Sequence, residues 1–311
     1  MSIDDQLGRS RPTTSRTTTT GAETSGAQTS GPESAAKLDR RLRDRLRDYW
    51  PWLVLAVLAA VAILVPVFAG AQSADFASAL RAPGDRSLLG TDHSGYDLGV
   101  RTAQGLRISL LIAVICAIVS TVIGLIIGIG AVTIGGWFDA LVMRVVDGMN
   151  ALPHLVIGVV IAAMWRGDPV AIVASIGLTH WPSVARVVRA ELLDNATAGW
   201  IESARLAGAS RWFIARHHLL PAVTGQALVA MTILLPHAVW HETSLSFLGV
   251  GLSPDEASLG TLLGQARGDV LTGAWWTLAV PGLALIIAAL ACTAAGSSLR
   301  RLSMPPTGRV W

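Results

Sequence analysis

Six stretches of mostly apolar residues, each near the length of a membrane-crossing helix, dominate the sequence. A helix needs about 20 such residues to cross the hydrocarbon core of a bilayer. Only 14% of the 311 residues are charged, well below the roughly 25% typical of soluble domains. We therefore predict an all-α, polytopic membrane protein with six transmembrane helices. The stretches are 52–71, 108–134, 141–164, 170–188, 223–247 and 275–295.

Three of these predicted spans contain unusual residues. The first, 52–71, ends in Ala69-Gly70-Ala71, which is similar to a signal-peptide cleavage site. The region of about fifty residues before it is too long for a normal signal peptide, so we predict an uncleaved span. The third carries Arg144 and Asp147 on one helical face, where they can pair. The fourth is interrupted by His180-Trp181-Pro182.

The basic residues and cysteines exclude several enzyme classes. The chain has 23 Arg and a single Lys, Lys37, which is followed by Leu38. A P-loop requires a Lys directly before its Ser or Thr, so this chain is not a P-loop ATPase. Cys116 and Cys292 both lie inside apolar runs and form neither a disulfide framework nor a metal cluster. The single Lys also argues against a Schiff-base lysine enzyme, and we predict no metal site.

The distribution of basic residues predicts the orientation of the spans. Cytoplasmic segments of membrane proteins carry an excess of Lys and Arg. If the N-terminus is cytoplasmic, that side of the membrane holds eighteen of the 24 basic residues and the other side holds six. We therefore predict that both termini are cytoplasmic. Residues 72–106 and 249–274 are then outer segments, and residues 189–222 are a cytoplasmic loop.

The N-terminal region has a different composition from the spans. Residues 1–36 are rich in Thr, Ser and Gly without apolar periodicity, which predicts disorder. In residues 37–48 a Leu recurs every fourth position, which indicates either an amphipathic helix at the membrane surface or a solvated charged linker. The predicted organisation is a cytoplasmic tail (1–50), a transmembrane domain (51–302) and a cytoplasmic C-terminal tail (303–311).

The predicted cytoplasmic loop contains two short helices. The first runs from Glu202 to Leu206, and Gly208 permits the positive φ that ends a helix. Ser210 is placed to cap the second helix, which we expect to stop at Pro221. Two helices joined by a glycine make a rigid knob that suits the groove of a partner protein. The alternative is an ordinary amphipathic loop on the bilayer.

This loop resembles the EAA motif of ABC-transporter permeases, E-A-A-x-x-x-G followed by Leu-Pro. Ser203 stands where the motif usually has its second Ala. We call residues 202–221 the EAA-like segment. The residues assigned to it are Glu202, Ser203, Ala204, Gly208, Ala209, Leu220 and Pro221.

Further motifs resemble the dipeptide/oligopeptide/nickel subfamily of these permeases. They are L-G-T-D-H-S-G-Y-D at 89–97, R-I-S-L at 107–110 and S-L-S-F-L-G-V-G at 244–251. The resemblance covers residues 85–302. The first two motifs contribute Gly90, Thr91, Asp92, Gly95, Asp97 and Arg107.

The resemblance implies a fold, partners and a mechanism. The fold would be that of a type I ABC importer permease in the bacterial inner membrane. A second, non-identical permease subunit would complete the pathway, and an extracytoplasmic binding protein would deliver the substrate. Two ABC ATPase subunits would bind ATP and Mg and drive the EAA-like segment. This chain would bind no cofactor itself and would do no covalent chemistry, so the resemblance implies a transport subunit and not an enzyme.

Two aspects of function stay open from the sequence. The cargo implied by the resemblance is a di- or oligopeptide, with nickel or a metal chelate as the alternative. A secondary transporter without ATPase partners is the rival class, although its internal repeats and embedded coupling charges are not evident here. A membrane scaffold with no transport role is the second rival. Copurification of an ATPase would separate both from an ABC permease.

His237, His241 and Glu242 in the fifth span are candidate pathway residues. Ionisable groups inside a membrane span usually face a pathway or a partner. His237 and His241 are four positions apart on one helical face, a spacing that can bind a metal. The alternative interpretation is hydrogen bonding between helices.

Overall fold

The computed structural model describes residues 32–84, 87–196, 203–204 and 206–303; of 32–44 and 195–196 it describes the backbone only. The chain divides into two units, residues 1–43 and 44–311. Residues 32–36, which we predicted as disordered, are the first turns of a helix. Pro32 suits the first helical position, because a backbone N–H there would have no intrahelical acceptor and proline has none to satisfy. The rest of the predicted disorder, residues 1–31, lies outside the described residues.

The described residues form eight main helices and no β-strand. Five long apolar segments are able to cross a membrane: Arg45–Ala69, Leu98–Ile134, Pro169–Asp194, Arg211–Phe247 and Trp276–Ser303. The helices in chain order are α1 (Pro32–Ala69), α2 (Leu98–Ile134), α3 (Gly136–Ala151), α4 (His154–Met164), α5 (Pro169–Ala196), α6 (Arg211–Phe247), α7 (Leu259–Leu271) and α8 (Trp276–Ser303).

The third predicted span is not one straight helix. It is the pair α3 and α4, bent by 88°, and the number of spans is six only if this pair counts as one. The break falls at Leu152 and Pro153. A residue before proline is disfavoured in the helical region, and Leu152 is extended, with φ −93° and ψ 143°.

The ion pair predicted within the third span is wrong. The Asp147 carboxylate pairs with the Arg186 guanidinium of α5 instead of with Arg144, and Asp139 pairs with Arg189, whose Nη2 lies 2.6 Å from Oδ2. Both acids of α3 therefore reach the neighbouring helix, which fastens α3 to α5. Sequence spacing identifies partners within a helix but not across helices.

The interruption predicted in the fourth span is also wrong, because α5 continues through Pro182. Close packing against α2 holds this helix together. A Cβ added to Gly124 would lie 2.6 Å from the Cβ of Val184, and one added to Gly128 would lie 2.9 Å from Cγ1 of Val188. The absence of side chains at these two glycines therefore lets α2 and α5 approach closely.

A central apolar cluster joins α2, α4, α5, α6, α7 and α8. The segment between α6 and α8, predicted as an outer segment, contributes to it through α7, whose Leu259 is fully buried. The Ser258 side chain caps α7 by accepting from the Thr261 N–H at 3.1 Å. Other buried members of the cluster are Ile112, Cys116, Ile172, Ile176, Leu245 and Leu285.

The membrane-length part of α1 packs differently from the other spans, because most of its side chains are exposed. Ala62 alone among its described residues joins the central cluster as a buried side chain. Its start is fastened to α8, where the Ser298 hydroxyl donates to the Asp48 carbonyl and the Arg301 guanidinium pairs with the Asp48 carboxylate at 2.9 Å. The predicted boundary between residues 50 and 51 lies inside this helix.

Candidate coupling segment, glycine-rich knot and histidine cavity

The first part of the EAA-like segment ends a helix as predicted. Ser203 and Ala204 are helical, and Gly208 has a φ of +83°. The Ala209 N–H donates to the Ala204 carbonyl at 3.0 Å. This bond across a left-handed residue is the usual way of satisfying carbonyls at a helix end. Glu202, the first residue of the motif, lies outside the described residues.

The second part of the segment starts as predicted but does not stop at Pro221. The Ser210 hydroxyl accepts from the Phe213 N–H at 3.2 Å and caps α6. The helix then passes through a π-helical turn at Ala215–Leu219 and continues to Phe247. The Leu220 N–H donates five residues back to Ala215, which lets the helix accommodate the missing N–H of Pro221.

One side of the segment packs on the molecule and the other is exposed. Ala204 and Ala209 contact an apolar cluster of α5 and α6 that includes Val188, Leu192 and Val223. Leu206 and Trp212 are 85% and 73% exposed. The segment is therefore a supported knob with an exposed apolar face, and α6 extends from it without a break across the molecule.

Residues 90–97 form a compact, hydrogen-bonded turn immediately before α2. We call this turn the 90–97 knot, although the chain does not thread through itself there. The Asp92 carboxylate accepts from the backbone N–H of Ser94 and Tyr96 at 2.9 and 3.0 Å. The Asp97 carboxylate caps α2 by accepting from Val100 N–H at 3.1 Å. The two acids therefore order the turn and begin the helix. Arg107 lies on an exposed face of α2, three turns further on.

Close contacts explain the glycines and the threonine of this motif. Gly90 has a φ of +80°, and a Cβ there would lie 2.8 Å from the Trp276 ring. Gly95 has a φ of +81°, and a Cβ there would overlap the Asp75 carbonyl. The Trp276 indole N–H donates to the Thr91 carbonyl at 3.2 Å. The motif thus anchors the segment before α2 onto α8.

Two charged contacts extend from the knot. Nε of Arg101 in α2 lies 3.6 Å from Oδ2 of Asp92. Nδ1 of His93 lies 3.8 Å from Oδ2 of Asp269 in α7. Burial raises the pKa of the Asp269 carboxyl, and the nearby His93 partly opposes that rise. The knot therefore joins α2, α7 and α8 through polar contacts as well as packing.

Four histidines from three helices meet at one cavity of about 350 Å³. His154 begins α4, His180 lies in the middle of α5, and His237 and His241 lie on α6. The ring centroid of His180 lies 5.4 Å from that of His154 and 4.7 Å from that of His241. Sequence reasoning found the two histidines of α6 by their spacing. It missed His154 and His180, because no spacing signal links residues on separate helices.

The cavity does not resemble a metal centre. The described residues include no group of three or more His, Cys, Asp or Glu arranged to hold a metal ion. Nδ1 of His180 lies 3.0 Å from the Ile176 carbonyl, and Nδ1 of His237 lies 3.3 Å from the Ile233 carbonyl. Because a carbonyl only accepts, each Nδ1 is the donor in its contact, and both contacts are to the ring's own helix.

Glu242 does not line this cavity, although the sequence grouped it with His237 and His241. It is fully buried. Its carboxyl group accepts from the Ser246 hydroxyl at 3.0 Å and from Thr243 at 3.4 Å, and the hydroxyls of Ser109 and Ser258 also bond to it. Adjacent residues on a helix point in different directions, so Glu242 ties α6 to α2 and α7 instead.

The long apolar helices, the supported knob and the knot define a polytopic transport permease. The family model for binding-protein-dependent transport system inner membrane components matches residues 120–305. The chain belongs to this family, the permease subunits of ABC transporters of the peptide and nickel type.

Three relatives illustrate the similarity. A putative peptide transport system permease protein of Brucella suis is 34% identical over 271 residues, 86% of this chain and 90% of the relative. The oligopeptide transport system permease protein OppC of Escherichia coli is 33% identical over 238 residues, 75% of this chain and 79% of the relative. The dipeptide transport system permease protein DppC of Bacillus subtilis is 32% identical over 212 residues, 68% of this chain and 66% of the relative.

Proposed function

We propose that this chain is one of two non-identical permease subunits of an ATP-driven importer that carries di- or oligopeptides across the bacterial cytoplasmic membrane. The observation that carries the proposal is the EAA-like segment, a supported knob continuous with the long helix α6. The names of the relatives, which specify peptides, dipeptides and oligopeptides, support the cargo. Nickel or a metal chelate has no such support.

The knob has the features that a coupling element needs. Its small residues Ala204 and Ala209 pack on the apolar cluster of α5 and α6, so a force applied to it reaches both helices. Its exposed Leu206 offers apolar surface to a partner. Two ATPase subunits would bind ATP and Mg and press on this knob, with Glu202 at its start. This chain would bind neither.

The basic residues support an orientation with both termini cytoplasmic. The EAA-like segment then faces the ATPases. The 90–97 knot and α7 face the opposite side, where a substrate-binding protein would deliver the peptide. The histidine cavity lies between these two ends, and the exposure of His237 supports a position for the cavity beside a pathway shared with the second permease.

Reconstitution tests the proposal. The chain is coexpressed with its candidate permease, ATPase and binding-protein partners, and uptake of labelled di- and oligopeptides into proteoliposomes is measured with ATP or a non-hydrolysable analogue. Uptake that requires hydrolysable ATP and the binding protein supports an ABC importer. Uptake driven by an ion gradient without ATP would support a secondary transporter instead. ATP-dependent uptake of nickel and not of peptides would show that nickel is the cargo.

A further inference from the structure

An apolar groove of about 800 Å³ runs between the second half of α2 and the first turns of α6. Its α2 wall is made of aliphatic side chains, among them Val122, Leu125, Ile126 and Ile129, and Leu220 of α6 closes the opposite wall. This groove is separate from the histidine cavity and from the 90–97 knot.

One end of the groove is basic. Arg211 and Arg216 line it there, and the Arg211 guanidinium donates to the Ile134 carbonyl at the end of α2 at 3.5 Å. The lining that the structure describes contains no Asp or Glu. Thr133 lies at the same end, and its buried hydroxyl has no hydrogen-bond partner among the described residues. The groove is therefore apolar along its length and positively charged at one end.

The length of the groove matches one leaflet of a bilayer. From Val122 to Ile134 the α2 wall extends about 18 Å at 1.5 Å per residue. Half of a hydrocarbon core of about 30 Å is about 15 Å. The charged end therefore lies at the depth of the lipid headgroups, where the exposed Trp212 also suits the interface.

We propose that this groove binds an anionic phospholipid, with an acyl chain along α2 and the phosphate beside Arg211 and Arg216. Basic pockets between transmembrane helices recognise anionic headgroups in this way. A helix from a partner subunit would fill the same apolar space, but it would have to bring an acidic side chain to both arginines.

The position of the groove connects the bound lipid to the EAA-like segment. The groove is formed by the first turns of α6, the helix that carries the EAA-like segment. A lipid bound there contacts this helix directly beside Ser210, its capping residue. Lipid occupancy would therefore stabilise the junction between the knob and the rest of α6.

Lipid retention by the purified transporter complex tests the proposal. The complex is exchanged in mixed micelles containing phosphatidylglycerol or phosphatidylcholine, and the lipids that remain bound are counted by native mass spectrometry. We expect the wild type to retain phosphatidylglycerol preferentially. The Arg211→Gln/Arg216→Gln variant should bind it about fivefold more weakly for each arginine removed, whereas Arg211→Lys/Arg216→Lys should keep most of the preference.

Two further variants make the test specific. Gly130→Leu leaves both arginines in place and adds side-chain volume to the groove wall. A Cβ at Gly130 would meet only the Phe138 ring, at 3.9 Å, which is an ordinary van der Waals contact. It should reduce retention of the lipid. Arg144→Gln, an exposed arginine outside the groove, should not. Equal retention of both lipids, or unchanged retention in the groove variants, overturns the proposal. Cross-linking of the Ile129→Cys variant to the second permease would assign the groove to a protein interface and overturn the proposal.

Discussion

At the residue scale, side chains that the sequence groups together have separate roles in the structure. His241 and Glu242 are adjacent, yet the histidine ring contacts His180 at the cavity while the carboxyl group is buried among hydroxyls. The residues of the 90–97 knot, in contrast, act together as the motif suggests. Contacts within a few residues follow from sequence, whereas the direction of a side chain on a helix depends on its neighbours.

We predict that Glu202→Lys abolishes peptide uptake without preventing membrane insertion. Glu202 begins the EAA-like segment. Charge reversal would place a positive side chain where the proposed ATPase groove binds a negative one. Uptake and ATPase copurification are measured together in membranes with equal amounts of the chain. Glu202→Asp, which keeps the charge, is the matched control and should retain most uptake. Normal uptake by Glu202→Lys would remove the coupling role.

We predict that His237→Gln/His241→Gln lowers the yield of assembled complex and affects all cargo equally. His241 packs on the His180 ring, with 4.7 Å between the ring centroids, and a Gln side chain cannot keep this ring contact between α5 and α6. Uptake of peptide and of nickel chelate is normalised to assembled complex. The single variant His237→Gln changes only the exposed ring and should be milder. A defect confined to nickel would indicate a metal pathway, because Gln is a poor substitute for imidazole as a ligand.

At the element scale, glycines and prolines have effects that depend on where they lie. Pro153 separates α3 from α4, whereas Pro182 lies within α5 and Pro221 within α6 after a π-helical turn. Gly208 turns the chain in the left-handed region, while Gly124 allows α5 to approach α2. The same residue type therefore breaks, bends or packs a helix according to the tertiary contacts around it.

We predict that Gly208→Ala weakens coupling. Its φ of +83° is unfavourable for a residue with a Cβ, although no atom lies within 4 Å of that Cβ, so the cost is backbone strain of about 1–2 kcal/mol. ATPase copurification and uptake should both fall. Gly225→Ala in α6 is the matched control, since that glycine also has open space but no positive φ. Equal effects of the two variants would contradict a special role for the turn.

We predict that Gly124→Leu destabilises the helix bundle by about 1–3 kcal/mol, because added side-chain atoms have to displace Val184 of α5. Thermal unfolding of the purified chain in detergent measures the effect. Gly148→Leu in α3, where no atom lies within 4 Å of the added Cβ, is the control and should change the midpoint little. An unchanged midpoint for Gly124→Leu would show that α2 and α5 are not closely packed.

At the scale of the whole molecule, the match to the family model covers the second half of α2 and the chain from α3 to α8. The family model begins at residue 120, and the alignment with the Brucella relative covers 86% of the chain. The exposed length of α1 contrasts with the buried faces of α2 and α5. Exposed apolar helix surface in a permease subunit is available to lipid and to the second subunit.

We predict that deletion of residues 2–31 leaves peptide uptake nearly unchanged. The deletion stops before α1, and residues 2–31 lie outside the match to the family model. Uptake is normalised to inserted protein, with full-length chain as the reference. Loss of transport by a deletion variant that inserts and assembles normally would assign a function to this tail.

The sequence by itself determined the class of protein, because the length and polarity of its apolar runs leave few alternatives to a helical membrane protein. It also determined local features that a few neighbouring residues control, such as the turn at Gly208 and the cap at Ser210. Only the tertiary structure decided that α3 and α4 bend apart, that Asp147 reaches Arg186, and that histidines of three helices meet. These features depend on contacts between residues far apart in the chain, for which a single sequence carries no periodic signal.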